Sequence, residues 1–246
     1  MPPGSLTYDG KLPRIFSPAS GDGPDWPQIY VGIAMTTLAT LILELSLARI
    51  IAVIFDIGFV PMGICVALFG LAGGGVLSCF VAAVRPDIYR RLGWLSAGIG
   101  LCSVLALLYL LTHAGPERLT FAALPFVLAG TVLSLAVSDT VGKIHQAYFF
   151  YLIGAAGGCL VLVPFLNTFG GPNTVIIAGA LFAASSAVWF NLGNHSRGRA
   201  AGVALALVLV FLVVVNTRWR IVDVTYAKGR VLAGETFVKW NSFSRV

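Results

Sequence analysis

Seven long apolar runs, separated by short stretches that hold most of the charge, set the pattern of the chain: residues 29–55, 58–84, 93–111, 119–137, 147–166, 174–192 and 200–215. A helix needs roughly 20 apolar residues to cross a bilayer, so runs of this length predict spans. The expected fold is therefore an all-α polytopic membrane protein of about seven transmembrane helices, occupying residues 28–216. Trp26 and Pro27 mark its start, because tryptophan favours the headgroup level and proline is tolerated in the first turn of a helix. Residues 1–27, rich in proline, glycine and aspartate, have no apolar stretch with which to bury a core and are expected to form a disordered arm.

The small residues within the runs carry a second pattern. Gly63, Ala67, Gly70, Gly74 and Ser78 recur every three or four positions and so share one helix face. In lipid, such a face lets two backbones approach closely. A phosphate-binding loop is the rival reading of Gly73, Gly74 and Gly75, but no lysine, serine or acidic residue follows at the spacing it needs and both flanks are apolar. An echo follows 84 residues later, where Gly154, Ala156, Gly157 and Gly158 repeat Gly70, Ala72, Gly73 and Gly74; Ala97 and Gly98 recur 81 residues on as Ala178 and Gly179. Three helices per copy would make an inverted 3+3 repeat. Gly154 and Gly158 are the expected partners of the Gly63–Ser78 face.

Charge inside the runs is sparse. Glu44 lies near the middle of the first run, with Thr40 one turn before it and Arg49 five residues after. A carboxylate there costs a few kcal/mol unless it is protonated, paired or facing a wet cavity. Glu44 should point into the bundle, with Thr40 placed to donate to it, whereas Arg49 can snorkel to the interface. His113, His145 and His195 fall in separate connecting segments, and Cys65, Cys79, Cys102 and Cys159 lie inside apolar runs without a CxxC. Neither set has metal-ligand spacing; the cysteines read as small core hydrophobes, and no cofactor is expected.

Composition agrees with a bilayer as the main partner. Of 246 residues 58% are hydrophobic and 11% charged, with mean hydropathy +0.90, more apolar surface than one globular core can bury. The net charge of +6 forms no basic stripe with interleaved aromatics, so no nucleic acid is expected as a partner. Arg85, Arg90, Arg91, Lys143, Arg197 and Arg199 fall in loops on the side of the N-terminus, against Arg118 alone in the opposite short loops. That bias places the N-terminus in the cytoplasm, as for a bacterial inner-membrane protein, although Arg218, Arg220, Lys228 and Arg230 just after the last run pull the other way. Residues 217–246 are β-prone: strands are expected at 221–226 and 237–240, with Gly229 and Gly234 as turn signals.

Four segments carry a family resemblance: Glu44 through Ile50, the glycine run 69–76, residues 148–160, and above all Lys239, Trp240, Asn241, Ser242, Phe243, Ser244, Arg245 and Val246. Together they resemble the polytopic membrane proteins fused to a spermidine-synthase-like domain. The resemblance implies that the helices anchor, without catalysing, a soluble domain that would bind decarboxylated S-adenosylmethionine and a diamine, and that the tail leads into its first sheet. Two departures stand out. Tyr151 occupies a position usually held by aspartate in that family, and nothing here matches a catalytic strand–loop–helix unit, so these residues should lack aminopropyltransferase chemistry. Two other functions compete: a transport module for an ion or small molecule built on Glu44, and an accessory subunit joined to other membrane subunits through its glycine faces.

Overall fold

The structure, a computed structural model, describes residues 25–55, 57–82, 87–113, 118–224, 226–227 and 230–231. It consists of seven helices: α1 (Trp26–Ile54), α2 (Val60–Ala82), α3 (Ile88–Thr112), α4 (Arg118–Asp139), α5 (Ile144–Phe169), α6 (Gly171–Leu192) and α7 (Ser196–Trp219). All seven are long and apolar enough to cross a membrane. The chain is an all-α integral membrane protein, and its odd number of helices puts the start of α1 and the end of α7 at opposite ends of the bundle.

Local chemistry sets the helix ends. Pro27 sits in the first turn of α1, where its missing N–H costs nothing. At the start of α7 the His195 ring accepts a hydrogen bond from the Gly198 amide at 2.8 Å, so this histidine is a cap. Between the fifth and sixth apolar runs, Asn167 to Asn173 with Gly170, Gly171 and Pro172 read as a hairpin in the sequence, and the structure contracts it to one residue. Helix α5 runs on to Phe169, the chain turns at Gly170 with φ 81°, and Pro172 already lies in the first turn of α6. Glycine reaches that φ without strain; Pro172 starts the next helix instead of extending the turn.

Helices α1 and α6 form the buried centre, and α2, α5 and α7 lie outside them. The buried residues of α2 are Ala67, Gly70, Gly74 and Ser78. Their partner, however, is α4 rather than α5. A β-carbon at Gly70 would lie 2.9 Å from the Ala123 carbonyl oxygen, and one at Gly74 would collide with the Val127 carbonyl. Gly154 and Gly158 of α5 meet α1 instead, at the carbonyls of Ala34 and Leu38. Gly63 faces the Ile51 side chain of α1. A stripe of small residues requires only a neighbouring backbone, and the backbone of α1 or α4 meets that need as well as a second stripe does.

The two contacts repeat each other. Gly70 and Gly74 meet Ala123 and Val127 as Gly154 and Gly158 meet Ala34 and Leu38. The glycines are 84 residues apart in each case and their partners 89. Exchanging α1, α2 and α3 for α4, α5 and α6 maps α2–α4 onto α5–α1 and α3–α4 onto α6–α1, all of them main helix contacts, and leaves α3–α6 in place. At that last contact Gly100 and Gly179 face each other's carbonyls, 2.8 and 3.0 Å from where the β-carbons would be. The six helices are thus an inverted repeat whose pseudo-twofold axis passes by this glycine pair, and α7 is an addition packed on α6.

Two expectations fail at the periphery. Cys65, Cys79 and Cys159 are exposed and Cys102 only half-buried; α2 and α5 bury little beyond their small-residue stripe, which leaves their cysteines facing outward. Residues 221–224 form no strand: Val222 and Val224 join the buried apolar cluster, Val224 at 1% exposure, while Ile221 is exposed. The strands present are two residues each, β1 (Tyr226–Ala227) and β2 (Arg230–Val231), paired antiparallel with Tyr226 opposite Val231. The arm up to residue 24, the strand expected at 237–240 and the Lys239–Val246 motif lie outside the described residues.

Candidate functional site: the Glu44 crevice and the α7 exit

Glu44 lies ten residues before the end of α1, about 15 Å along the axis, and therefore inside the apolar layer. It is half-buried in a crevice between α1, α2 and α4. Leu47 and Ile51 continue its own face, Gly63 and Ala67 come from α2, and Leu119, Ala122 and Phe126 from α4. The space between them measures about 10 Å³, at the lower limit for one water molecule. The small side chains of Gly63, Ala67 and Ala122 keep it open, and every side chain lining it apart from Glu44 is apolar.

The residues expected around Glu44 do not join it. Thr40 donates to the Thr36 carbonyl at 2.8 Å, because a buried threonine in an apolar medium finds its nearest acceptor one turn back on its own helix. Arg49 is exposed, nearer the end of α1. Among the described residues Glu44 has no hydrogen-bond or ion-pair partner. Hydroxyls elsewhere in the bundle serve the framework: Thr36 meets Ser185 across α1 and α6 at 2.8 Å, and Ser78 meets Ser134 across α2 and α4 at 2.8 Å.

A second polar site lies where the chain leaves α7. The Asn216 side chain, 4% exposed, donates to Asn173 Oδ1 at 2.6 Å and to the Val222 carbonyl at 3.0 Å, and accepts from the Val222 amide at 2.6 Å. Asn173 in turn donates to the Phe169 carbonyl at 2.9 Å and to Thr217 Oγ1 at 3.2 Å. Arg220, left-handed at φ 49°, reverses the chain so that Val222 returns to Asn216. Asn173, Thr217, Arg220 and Asp223 line the open cavity of about 260 Å³ beside this clamp. Sequence reading placed Asn173 in a hairpin and Asn216 at the edge of the tail. The available signal was an asparagine at the end of an otherwise apolar run, where an amide needs a partner.

At the other end, Tyr30 stacks on Phe150 at 4.9 Å and donates to Gln146 Oε1 at 2.5 Å, while Lys143 lies 4.5 Å over the Trp26 ring. Tyr151 stacks on Tyr148 at 6.1 Å. The histidines do not converge: His195 caps α7, and the His113 ring stacks on Tyr109 at 4.0 Å. Among the described residues no group of three histidine, cysteine or acidic side chains could hold a metal ion.

Fold and site thus define a seven-helix membrane protein whose helix contacts repeat between its two halves and in which, among the described residues, the intramembrane carboxyl of Glu44 has no partner. Compared with protein-family models, curated proteins and solved structures, the chain finds no match.

Proposed function

We propose that the helices are the membrane domain of a protein of the kind it resembles, one that holds a spermidine-synthase-like domain beyond α7. The observation that supports this most is the Asn216 clamp. A chain that only trails from a last helix has no use for a buried amide that binds the Val222 backbone through both its N–H and its C=O. A chain that carries a domain gains a fixed direction of exit from it. The end of the bundle where α1 begins carries Arg90, Arg91, Lys143, Arg197 and Arg199, against Arg218 and Arg220 at the end of α7; this bias supports a cytoplasmic start of α1, as in a bacterial inner membrane, with α7 exiting on the far side. Intact-mass measurement of the protein from its native membrane tests the reading. A mass well above 25.9 kDa, with aminopropyl transfer to a diamine by the purified protein, is the expected result; a mass near 25.9 kDa defeats it.

A second reading rests on Glu44. In transporters with inverted repeats, ion and substrate sites lie near the bilayer midplane at the repeat interface, and the α2–α4 seam beside Glu44 is such an interface. An intramembrane carboxyl without a partner is by default a functional candidate. Flux of protons or polyamines into proteoliposomes, lost in Glu44→Gln, is the expected outcome; flux that survives the substitution removes it.

A further inference from the structure

Three properties of the crevice decide what Glu44 can bind. The space within it, about 10 Å³, leaves room for about one water and none for a diamine. Its donor set is equally restrictive. A hard metal cation needs several oxygen ligands, and the side chains from α2 and α4, with Ala67, Ala122 and Phe126 among them, offer none. Among the described residues no titratable side chain from either of those helices lines the crevice, and Arg49 on its own helix is exposed.

Among the described residues a carboxylate in that setting has neither counter-ion nor hydrogen-bond donor, and the remaining way to remove its charge is to take up a proton. We propose that Glu44 is a proton-binding site: its carboxylate takes up one proton to become a neutral carboxylic acid and releases it again, with at most one water alongside. The proposal rests on the second functional reading and narrows its ligand to the proton, excluding polyamines and metal ions.

The comparison between the two halves supports this. The repeat offset of 89 residues sets Leu133 of α4 at the position equivalent to Glu44, and Tyr30 at that of Leu119. Where one half has a carboxyl the other has a leucine, and where one has Leu119 the other has a tyrosine stacked on Phe150 and bonded to Gln146. The packing of the repeat itself therefore has no need of an acid at this place.

Infrared difference spectroscopy on the purified protein in liposomes tests the proposal, comparing wild type with Glu44→Gln and Glu44→Asp. The expected result is a carboxylic C=O band in the wild type that disappears reversibly as pH is raised, is absent in Glu44→Gln, is retained with a shift in Glu44→Asp, and is unaffected by spermidine, sodium or potassium. A band that never appears, one that persists at every pH, or one that spermidine or a metal ion removes would overturn it. Labelling of wild-type protein with an apolar carbodiimide, which adds to protonated carboxyls, covers the case in which Glu44→Gln fails to fold: modification mapped to Glu44 and suppressed at high pH supports the site, and an unmodified Glu44 overturns it. If the band titrates while proteoliposomes show no proton flux, the transport reading fails and the proton site stands.

Discussion

The α2–α4 seam and the α5–α1 seam have the same geometry and different contents. In both, two glycines one turn apart sit against carbonyls one turn apart: Gly70 and Gly74 against Ala123 and Val127, Gly154 and Gly158 against Ala34 and Leu38. Beside the second seam Tyr30, 8% exposed, is both stacked and hydrogen-bonded, at the edge of an open pocket of about 610 Å³ that it lines with Gln146 and Phe150. Beside the first, Gly63, Ala67 and Ala122 leave a gap next to Glu44. A shared backbone register with divergent side chains shows which positions the fold needs and which are free to serve another purpose. The glycines belong to the first kind and Glu44 to the second.

The largest effect is expected where the two seams are alike. Gly74→Leu and Gly154→Leu each force a side chain into a facing backbone carbonyl, which cannot move aside as a flexible side chain could. Both should cost at least the 1–3 kcal/mol or so of ordinary overpacking and shift the protein out of its monodisperse form on size exclusion in detergent. Gly73→Ala and Gly75→Ala meet nothing within 4 Å and should stay within about 0.5 kcal/mol of wild type. If Gly74→Leu disrupts the protein and Gly154→Leu does not, the seams are not equivalent and the repeat is only topological.

Next in size is the clamp, which neither seam contains because α7 lies outside the repeat. Asn216→Leu leaves Asn173 Oδ1 and both backbone groups of Val222 without a partner. Each buried group so orphaned costs about 1–3 kcal/mol, less where water enters from the adjoining cavity. The expected outcome is a lower melting temperature together with faster hydrogen exchange at the Val222 amide, with Gly74 and Gly154 contacts unchanged. An unaltered exchange rate would show that the exit from α7 is held by other contacts.

How far these features can be read from sequence differs with their cause. The seven spans are set by hydropathy and length, which one chain displays in full, and the small-residue face of α2 follows from helical spacing alone. The partner of that face does not follow, because a glycine records that some backbone comes close without recording which one. The repeat was readable in α2 and α5, whose glycines are fixed by contact, and unreadable in α1 and α4, which meet those glycines with backbone carbonyls and differ in side chains even where one is constrained, as at Gly130 of α4 against the Leu71 carbonyl. Gly170, Gly171 and Pro172 misled for a related reason: turn formers also open helices, and Pro172 here opens α6. Thr40 was expected to serve Glu44 because both lie on one face, but its own helix offered a nearer acceptor.

A smaller effect should separate the two crevices. Tyr30→Phe keeps the stack on Phe150 and removes the bond to Gln146, a loss of about 1 kcal/mol measurable by thermal unfolding. A change near zero would show that this half, too, tolerates loss of its polar contact.

The smallest effect on stability is expected at the position where the halves differ most. Glu44→Leu gives α1 the residue that α4 already has at its equivalent position, Leu133, which is half-buried as Glu44 is. No hydrogen bond or ion pair among the described residues is lost, and removing a polar group from the apolar layer relieves a cost of up to a few kcal/mol when it is ionised. Against that, a leucine side chain must fit a gap of about 10 Å³, and any overpacking offsets part of the gain. The melting temperature should therefore stay level or rise, while carbodiimide labelling at this position disappears. A clear fall in melting temperature would mean that Glu44 holds α1, α2 and α4 together, and the division between positions the fold needs and positions it leaves free would then have to be redrawn at this residue.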